Sequence, residues 1–189
     1  MQQSGGAKQW YAVQLKTRFE KVVAHHLRGK GYEEYLPTYR SRRHWSDRVK
    51  EIELPLFPGY IFCKFDVTNR LPLLMIPGVR SVVGFGGAPT PIPEQEIAAV
   101  QRVVKSGMQY GPWPGIGVGE VVQVKDGPLH GLEGVVVQVK RKDLLIISVN
   151  LLQRCVSVEI DRDSLAPLRE NQAEVGCSAE LCAVRSFSS

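Results

Sequence analysis

Leu56-Phe57-Pro58-Gly59-Tyr60-Ile61-Phe62-Cys63-Lys64-Phe65 is the most apolar run in the first half of this chain. A Pro-Gly kink opens it, and the residues after the kink are aromatic and almost continuously hydrophobic. That combination predicts a central strand covered on both faces. Upstream, Trp10 to Lys16 reads as a second strand. Thr17 then starts a helix of about 13 residues, with Glu20 at the capping-box spacing. Phe19, Val22, Val23 and Leu27 would form its buried stripe, and Gly31 would end it. Tyr32 to Tyr39 is expected as an edge strand, because Pro37 has no amide to give to a ladder. Val49 to Leu54 is extended, with Ile52 and Leu54 on one face. Downstream, Leu71 to Ile76 makes one or two helical turns, stopped by Pro77-Gly78. Val79 to Phe85 is another strand, and Pro93 opens a helix that buries Ile97, Val100 and Val104. The pattern describes an α+β domain, an antiparallel sheet with helices packed against it.

From Ser106 to Gly117 no period survives, and five of the seven residues from Gly111 to Gly117 are glycine or proline. This stretch reads as a spacer. Beyond it come only short strands, at 120–124, 134–139, 144–149 and 156–160, with a last one near Leu165. Tight glycine turns and no helical period imply a small closed or nearly closed β-barrel. The expected organisation is a first domain over 8–106, a linker over 107–117, a barrel over 118–168 and a disordered tail over 169–189.

The 189 residues carry 24 Lys and Arg against 19 Asp and Glu, a net charge of +5. The charge is split: residues 1–107 hold 16 basic and 9 acidic side chains, and residues 108–189 hold 8 and 10. Only the first half is biased towards a polyanion. Its basic residues concentrate in Arg40, Arg42, Arg43, Arg48 and Lys50, with His44 and Trp45 among them. Such a run is either a solvated hairpin tip or a phosphate-contacting loop whose ring stacks on an unpaired base. The four cysteines have no zinc-site spacing, no apolar run reaches the length of a membrane span, and the start lacks an export signal. A reduced, cytoplasmic protein without metal or cofactor is expected. Catalytic constellations are missing too: His25 and His26 are adjacent on one helix, and Glu33 and Glu34 point to opposite faces of a strand. The sequence therefore points to binding rather than to catalysis.

Three stretches carry a resemblance. They are Trp10-Tyr11-Ala12-Val13 leading into the helix, Phe57-Pro58-Gly59-Tyr60-Ile61-Phe62 with Pro77-Gly78-Val79 and Val83-Gly84-Phe85 downstream, and Val122-Gln123-Val124-Lys125-Asp126-Gly127-Pro128-Leu129-His130-Gly131-Leu132-Glu133-Gly134-Val135-Val136. In this order and spacing, Trp10 to about Leu168 resembles the NusG family of transcription elongation factors. The first domain then corresponds to the NusG amino-terminal domain, which is ferredoxin- or RNP-like. The second corresponds to an SH3-like KOW barrel, whose turn would be built on Gly127, Pro128, Gly131 and Gly134. The resemblance implies an RNA polymerase factor that grips the clamp helices of the largest catalytic subunit. The matching positions are Trp10, Tyr11, Phe57, Pro58, Tyr60 and Phe62, although Phe57 and Phe62 could equally be core residues. It also implies contact with the non-template DNA strand through Arg40, Arg42, Arg43, His44, Trp45, Arg48 and Lys50. An RNA or ribosomal partner would bind the KOW domain, and the free protein would be a monomer away from membranes. Of Asn150-Leu151-Leu152-Gln153-Arg154-Cys155-Val156-Ser157-Val158-Glu159-Ile160, only Arg154 and the Val-Glu-Ile strand fit the Phe-Gly-Arg element of the general factor, and the Leu-Leu-Gln-Arg run with Gly84-Phe85-Gly86-Gly87-Ala88-Pro89 resembles the operon-specific antiterminators. The alternatives are the general elongation factor and a ribosome-associated KOW protein.

Overall fold

Both faces of the strand that holds Trp10 to Leu15 are buried, which makes it the axis of the first domain. The computed structural model describes residues 7–44, 49–113, 119–139 and 142–168. The first domain runs β1 (Gln9–Leu15), α1 (Glu20–Gly29), β2 (Glu33–Tyr35), β3 (Thr38–His44), β4 (Val49–Pro55), β5 (Tyr60–Phe65), α2 (Leu71–Leu74), β6 (Val79–Val82), β7 (Gly84–Phe85), β8 (Ala88–Pro89) and α3 (Glu94–Lys105). The antiparallel sheet has the order β2-β5-β1-β6. Register is set by Trp10 opposite Lys64 and Val13 opposite Ile61. Because side chains alternate along a strand, this register sorts two cores. Tyr11, Val13 and Leu15 meet Ile61, Cys63 and Phe65 under α1, which contributes Val23, Ala24 and Leu27. Trp10, Ala12 and Phe62 lie in the other core, with Ile97, Val100 and Val103 of α3.

Several local expectations are corrected. Helix α1 begins at Glu20 rather than after Thr17, and no side chain caps it. The Glu20 carboxylate, 6% exposed, instead accepts the Gly59 N–H at 3.0 Å. A buried acceptor that another loop claims is not free to close a capping box. Phe19 and Val22 are exposed, because starting the helix later turns Glu20, Val23, Ala24 and Leu27 inwards. The expected edge strand is two strands, β2 and β3, divided at Leu36-Pro37. Pro37 is buried there and its carbonyl accepts the Leu56 N–H at 2.8 Å. The expected strand to Phe85 also divides, into β6 and the small hairpin β7–β8.

The second domain contains β10 (Glu120–Val124), β11 (Glu133–Val139), β12 (Lys142–Val149), β13 (Arg154–Ile160) and β14 (Leu165–Pro167), close to the five strands read from the sequence. A sixth strand was hidden in the expected spacer: β9 (Tyr110–Trp113) pairs with β13, giving the order β14-β10-β11-β12-β13-β9. The register explains how a Gly-Pro strand can pair. The Glu159 N–H donates to the Gln109 carbonyl at 2.9 Å, and Pro112 stands opposite Val156. Bonding pairs alternate in an antiparallel ladder, so Gly111 and Trp113 bond to β13 while Pro112 sits where an amide would point away from it. The expected tail, 169–189, lies outside the described residues.

The KOW-type turn joins β10 to β11. Gly127 and Gly131 take left-handed backbone angles of φ +81° and +75°, and the Gly131 N–H reaches the Val124 carbonyl at 2.7 Å. Leu129 and Leu132 are thereby turned into the core, while Pro128 stays exposed. At Gly134 a Cβ would stand 2.7 Å from the Ile146 carbonyl oxygen, so only glycine lets β11 approach β12 this closely.

Candidate functional site

The Phe-Pro-Gly-Tyr stretch builds an aromatic row across one face of the sheet. Tyr35 stacks on Phe62 with centroids 6.3 Å apart, and Phe57 meets Phe62 edge-to-face at 5.3 Å. Tyr60 is half-buried at the rim of this row, and Pro58 is exposed. Trp10 is buried on the same face, with the Lys64 ammonium 5.8 Å from its ring centroid. Tyr11 is not part of this face. It points to the α1 side, its ring 5.0 Å from Phe65, and burial raises its hydroxyl pKa. Alternation along β1 makes Trp10 and Tyr11 incompatible as neighbours on one surface.

The aromatic face does not look onto open space. One continuous apolar core joins Trp10, Phe57, Phe62 and α3 to Val122, Leu129, Leu145, Val156 and Val158 of the second domain, with Tyr60 and Tyr110 packed against it. Polar contacts ring the junction. The Arg154 guanidinium lies 5.6 Å from the Tyr60 ring centroid. Asn150 donates its backbone N–H and its side-chain amide to the Glu96 carboxylate, at 3.2 and 3.0 Å. Burial holds that carboxyl above its usual range, the two Asn150 donors acting against it. Arg102 reaches the His130 carbonyl, and the Tyr110 hydroxyl donates to the Thr38 carbonyl at 2.7 Å. The Tyr35 hydroxyl is buried with no hydrogen-bond partner among the described residues, and burial, with a smaller contribution from Tyr110, drives its pKa strongly upwards.

The basic residues fall on the β3–β4 hairpin. Its register sets Arg40 opposite Glu53, Arg42 opposite Glu51, Arg43 opposite Lys50 and His44 opposite Val49. Arg40 lies 3.8 Å from Glu51, and Glu53 is claimed by Lys21 of α1 at 3.0 Å and by Thr38 at 2.8 Å. Those hydrogen bonds hold the Glu53 carboxyl below its usual range. The base of the hairpin is therefore charge-paired, and the surplus of positive positions falls towards its end. Trp45 and Arg48 lie outside the described residues. No group of three or more metal-ligating side chains comes together among the described residues, and no described helix is long and apolar enough to cross a membrane.

Comparison with known proteins gives the class first. The family model described as transcription termination factor nusG matches residues 8–101. The transcription termination/antitermination protein NusG of Vibrio vulnificus is 31% identical over 169 residues, covering 82% of this chain and 92% of that protein. NusG of Escherichia coli K12 matches at the same identity and covers 93% of its own length. A solved structure of Thermotoga maritima NusG, described for the domain interaction in that protein, shares the fold with a TM-score of 0.50 at 20% identity, over 86% of this chain and 98% of that one. An α+β domain followed by a small β-rich domain, with these relatives, defines a transcription termination/antitermination factor. The chain belongs to the NusG family.

Proposed function

We propose that this chain binds RNA polymerase during elongation and acts as an operon-specific antiterminator in the cytoplasm. The first domain grips the clamp helices of the largest catalytic subunit with Tyr60 and Pro58 as contacts, on a floor made by Trp10, Phe57 and Phe62. Tyr11 supports that floor from the α1 side. The end of the β3–β4 hairpin, with Arg40, Arg42, Arg43, His44, Trp45, Arg48 and Lys50, contacts the phosphates of the non-template strand. The observation that carries this reading is the aromatic row ending in the half-buried Tyr60 ring, whose cover is a cation from the second domain. Tyrosine on an apolar floor is the kind of anchor that dominates a protein–protein patch. The specialised role is favoured over the general one by Asn150, which opens the run that departs from the general factor and whose side-chain amide donates to Glu96 of the first domain.

The test is binding to core polymerase together with readthrough of an intrinsic terminator. Tyr60→Ala should weaken polymerase binding about thirtyfold, the loss expected for a central aromatic anchor. Replacing Arg40, Arg42, Arg43 and Arg48 by alanine should leave polymerase binding in place, lower readthrough, and reduce the salt slope of binding to bubble-containing DNA by about 0.7 per lost contact. Full polymerase binding by Tyr60→Ala refutes the grip.

A further inference from the structure

Phe57-Pro58-Gly59-Tyr60 is a four-residue turn, closed by the Tyr60 N–H on the Phe57 carbonyl at 3.1 Å. Proline at its second position and a glycine of φ +83° at its third make it a type II turn. Type I and type II differ chiefly in the plane of the central peptide, here the one between Pro58 and Gly59. Glu20 acts on that plane, because its buried carboxylate accepts the Gly59 N–H at 3.0 Å. Among the described residues this N–H is the carboxylate's only hydrogen-bond partner. The approach to α1 is unfavourable in itself. Arg18 takes a left-handed φ of +68°, and Phe19 and Val22 remain 37% and 47% exposed. Both features accompany a helix that starts at Glu20 and turns it inwards.

A trans peptide is planar, with its N–H and its C=O on opposite sides. With the Gly59 N–H directed inwards at Glu20, the Pro58 carbonyl is directed outwards, on an exposed residue. The other two carbonyls of the turn are taken, Phe57's by the Tyr60 N–H and Gly59's by the Leu15 N–H at 2.8 Å. No described residue donates to the carbonyl of Pro58. We infer that Glu20 is a positioning residue for the aromatic face: by locking the central peptide of the turn, it presents the Pro58 carbonyl to an N–H donor side chain of the partner. The aromatic row supplies apolar contact, which has no preferred direction, whereas a fixed acceptor beside Tyr60 adds the direction that a hydrogen bond requires. Nothing else holds that plane. The Tyr60–Phe57 and Leu15–Gly59 bonds fix the ends of the turn, proline suits the second position of either turn type, and glycine takes either sign of φ. In naming polymerase as the partner the inference rests on the proposed function; as a lock on the turn it does not.

The lock and the binding are read separately on the full chain. In a type II turn the Pro58 Hα lies close to the Gly59 N–H, and a flip to type I moves them apart, so the nuclear Overhauser contact between them reports the plane. The wild type and Glu20→Gln, which keeps an acceptor oxygen, should both show a strong contact and bind immobilised core polymerase within about twofold of each other. Glu20→Ala should weaken the contact and lower polymerase binding about tenfold. Gly78→Ala is the control for lost stability: a Cβ there would stand 2.5 Å from Phe19 Cδ1, beside α1 and away from the turn, and both readouts should stay at the wild-type level. An undiminished contact in Glu20→Ala overturns the lock. Equal losses of binding in Glu20→Ala and in either Glu20→Gln or Gly78→Ala overturn the positioning role. Tyr60→Ala separates the inference from the reading beneath it. If it loses polymerase binding while Glu20→Ala, with its contact weakened, binds fully, the presented carbonyl is refuted. If both variants bind fully while the contact weakens, the lock stands and the polymerase reading of the face fails.

Discussion

Glu20 is the residue whose removal most directly tests how the Phe-Pro-Gly-Tyr turn is held. Its buried carboxylate accepts the Gly59 N–H at 3.0 Å, while the Gly59 carbonyl accepts the Leu15 N–H at 2.8 Å. Gly59 thus ties α1, β1 and the turn that carries Tyr60 into one unit. A hydrogen bond to a charged group is worth about 1.5–3 kcal/mol. A carboxylate in the first turn of a helix adds about 0.3–1 kcal/mol from the helix dipole. Glu20→Ala loses both and regains part of the cost of burying a charge, for a net loss of about 2–3 kcal/mol. Glu20→Gln keeps an acceptor oxygen and loses the charge, for about 0.5–1.5 kcal/mol. At about 2–4 °C per kcal/mol for a chain of this size, the alanine variant should melt about 4–12 °C lower. The glutamine variant should fall between it and the wild type in scanning calorimetry. Equal shifts for the two variants, or an alanine shift below about 2 °C, would mean that the turn is held by other contacts.

Two further outcomes rest on named groups. Gly78→Ala should cost more than Gly59→Ala, although both glycines have positive φ, at +98° and +83°. A Cβ at Gly78 would stand 2.5 Å from Phe19 Cδ1, whereas at Gly59 it meets nothing within 4 Å, and denaturant midpoints of the two variants check the order. Glu96 sets a pH dependence. Its folded-state pKa lies above the ordinary value of 4.5, so the folded chain holds more protons across that interval. The contribution is complete below the ordinary value and is lost as pH rises through the raised one. As pH rises from the ordinary value of 4.5 through the raised one, the melting temperature of the wild type should therefore decline relative to that of Glu96→Gln, and parallel profiles would remove Glu96 as the cause.

Much of the fold was legible because its signals are local. The apolar run that follows the Pro-Gly kink, Tyr60–Phe65, is a central strand as its composition says, and the second-domain strands are marked by β-branched density between glycine turns. The misreadings share a cause: the deciding partner was distant in the chain. Glu20 looked like half of a capping box because nothing nearby shows that Gly59, 39 residues on, claims its carboxylate. Gly111-Pro112-Trp113 looked like a spacer because proline argues against a strand, and only the parity of the pairing with β13 makes Pro112 harmless. The candidate site was half legible. Aromatic residues at Phe57, Tyr60 and Phe62 could be picked out as a group, but their cover could not. An apolar face that meets the chain's own second domain has the same composition as one that meets another protein. Tyr11 was misplaced for a simpler reason, since adjacent strand residues cannot share a surface.

The bracing at the foot of the β3–β4 hairpin has a mechanical consequence. Lys21 ties Glu53 to α1, and Thr38 ties it across the ladder, so the two strands leave the domain with a charge-paired root. Under the proposed contact with the non-template strand, attraction to the polyanion would act far from the domain's centre, where a given force exerts its largest torque. Such a lever turns the molecule as it approaches, and makes the angle of arrival, more than its speed, the quantity that dissolved ions would blunt.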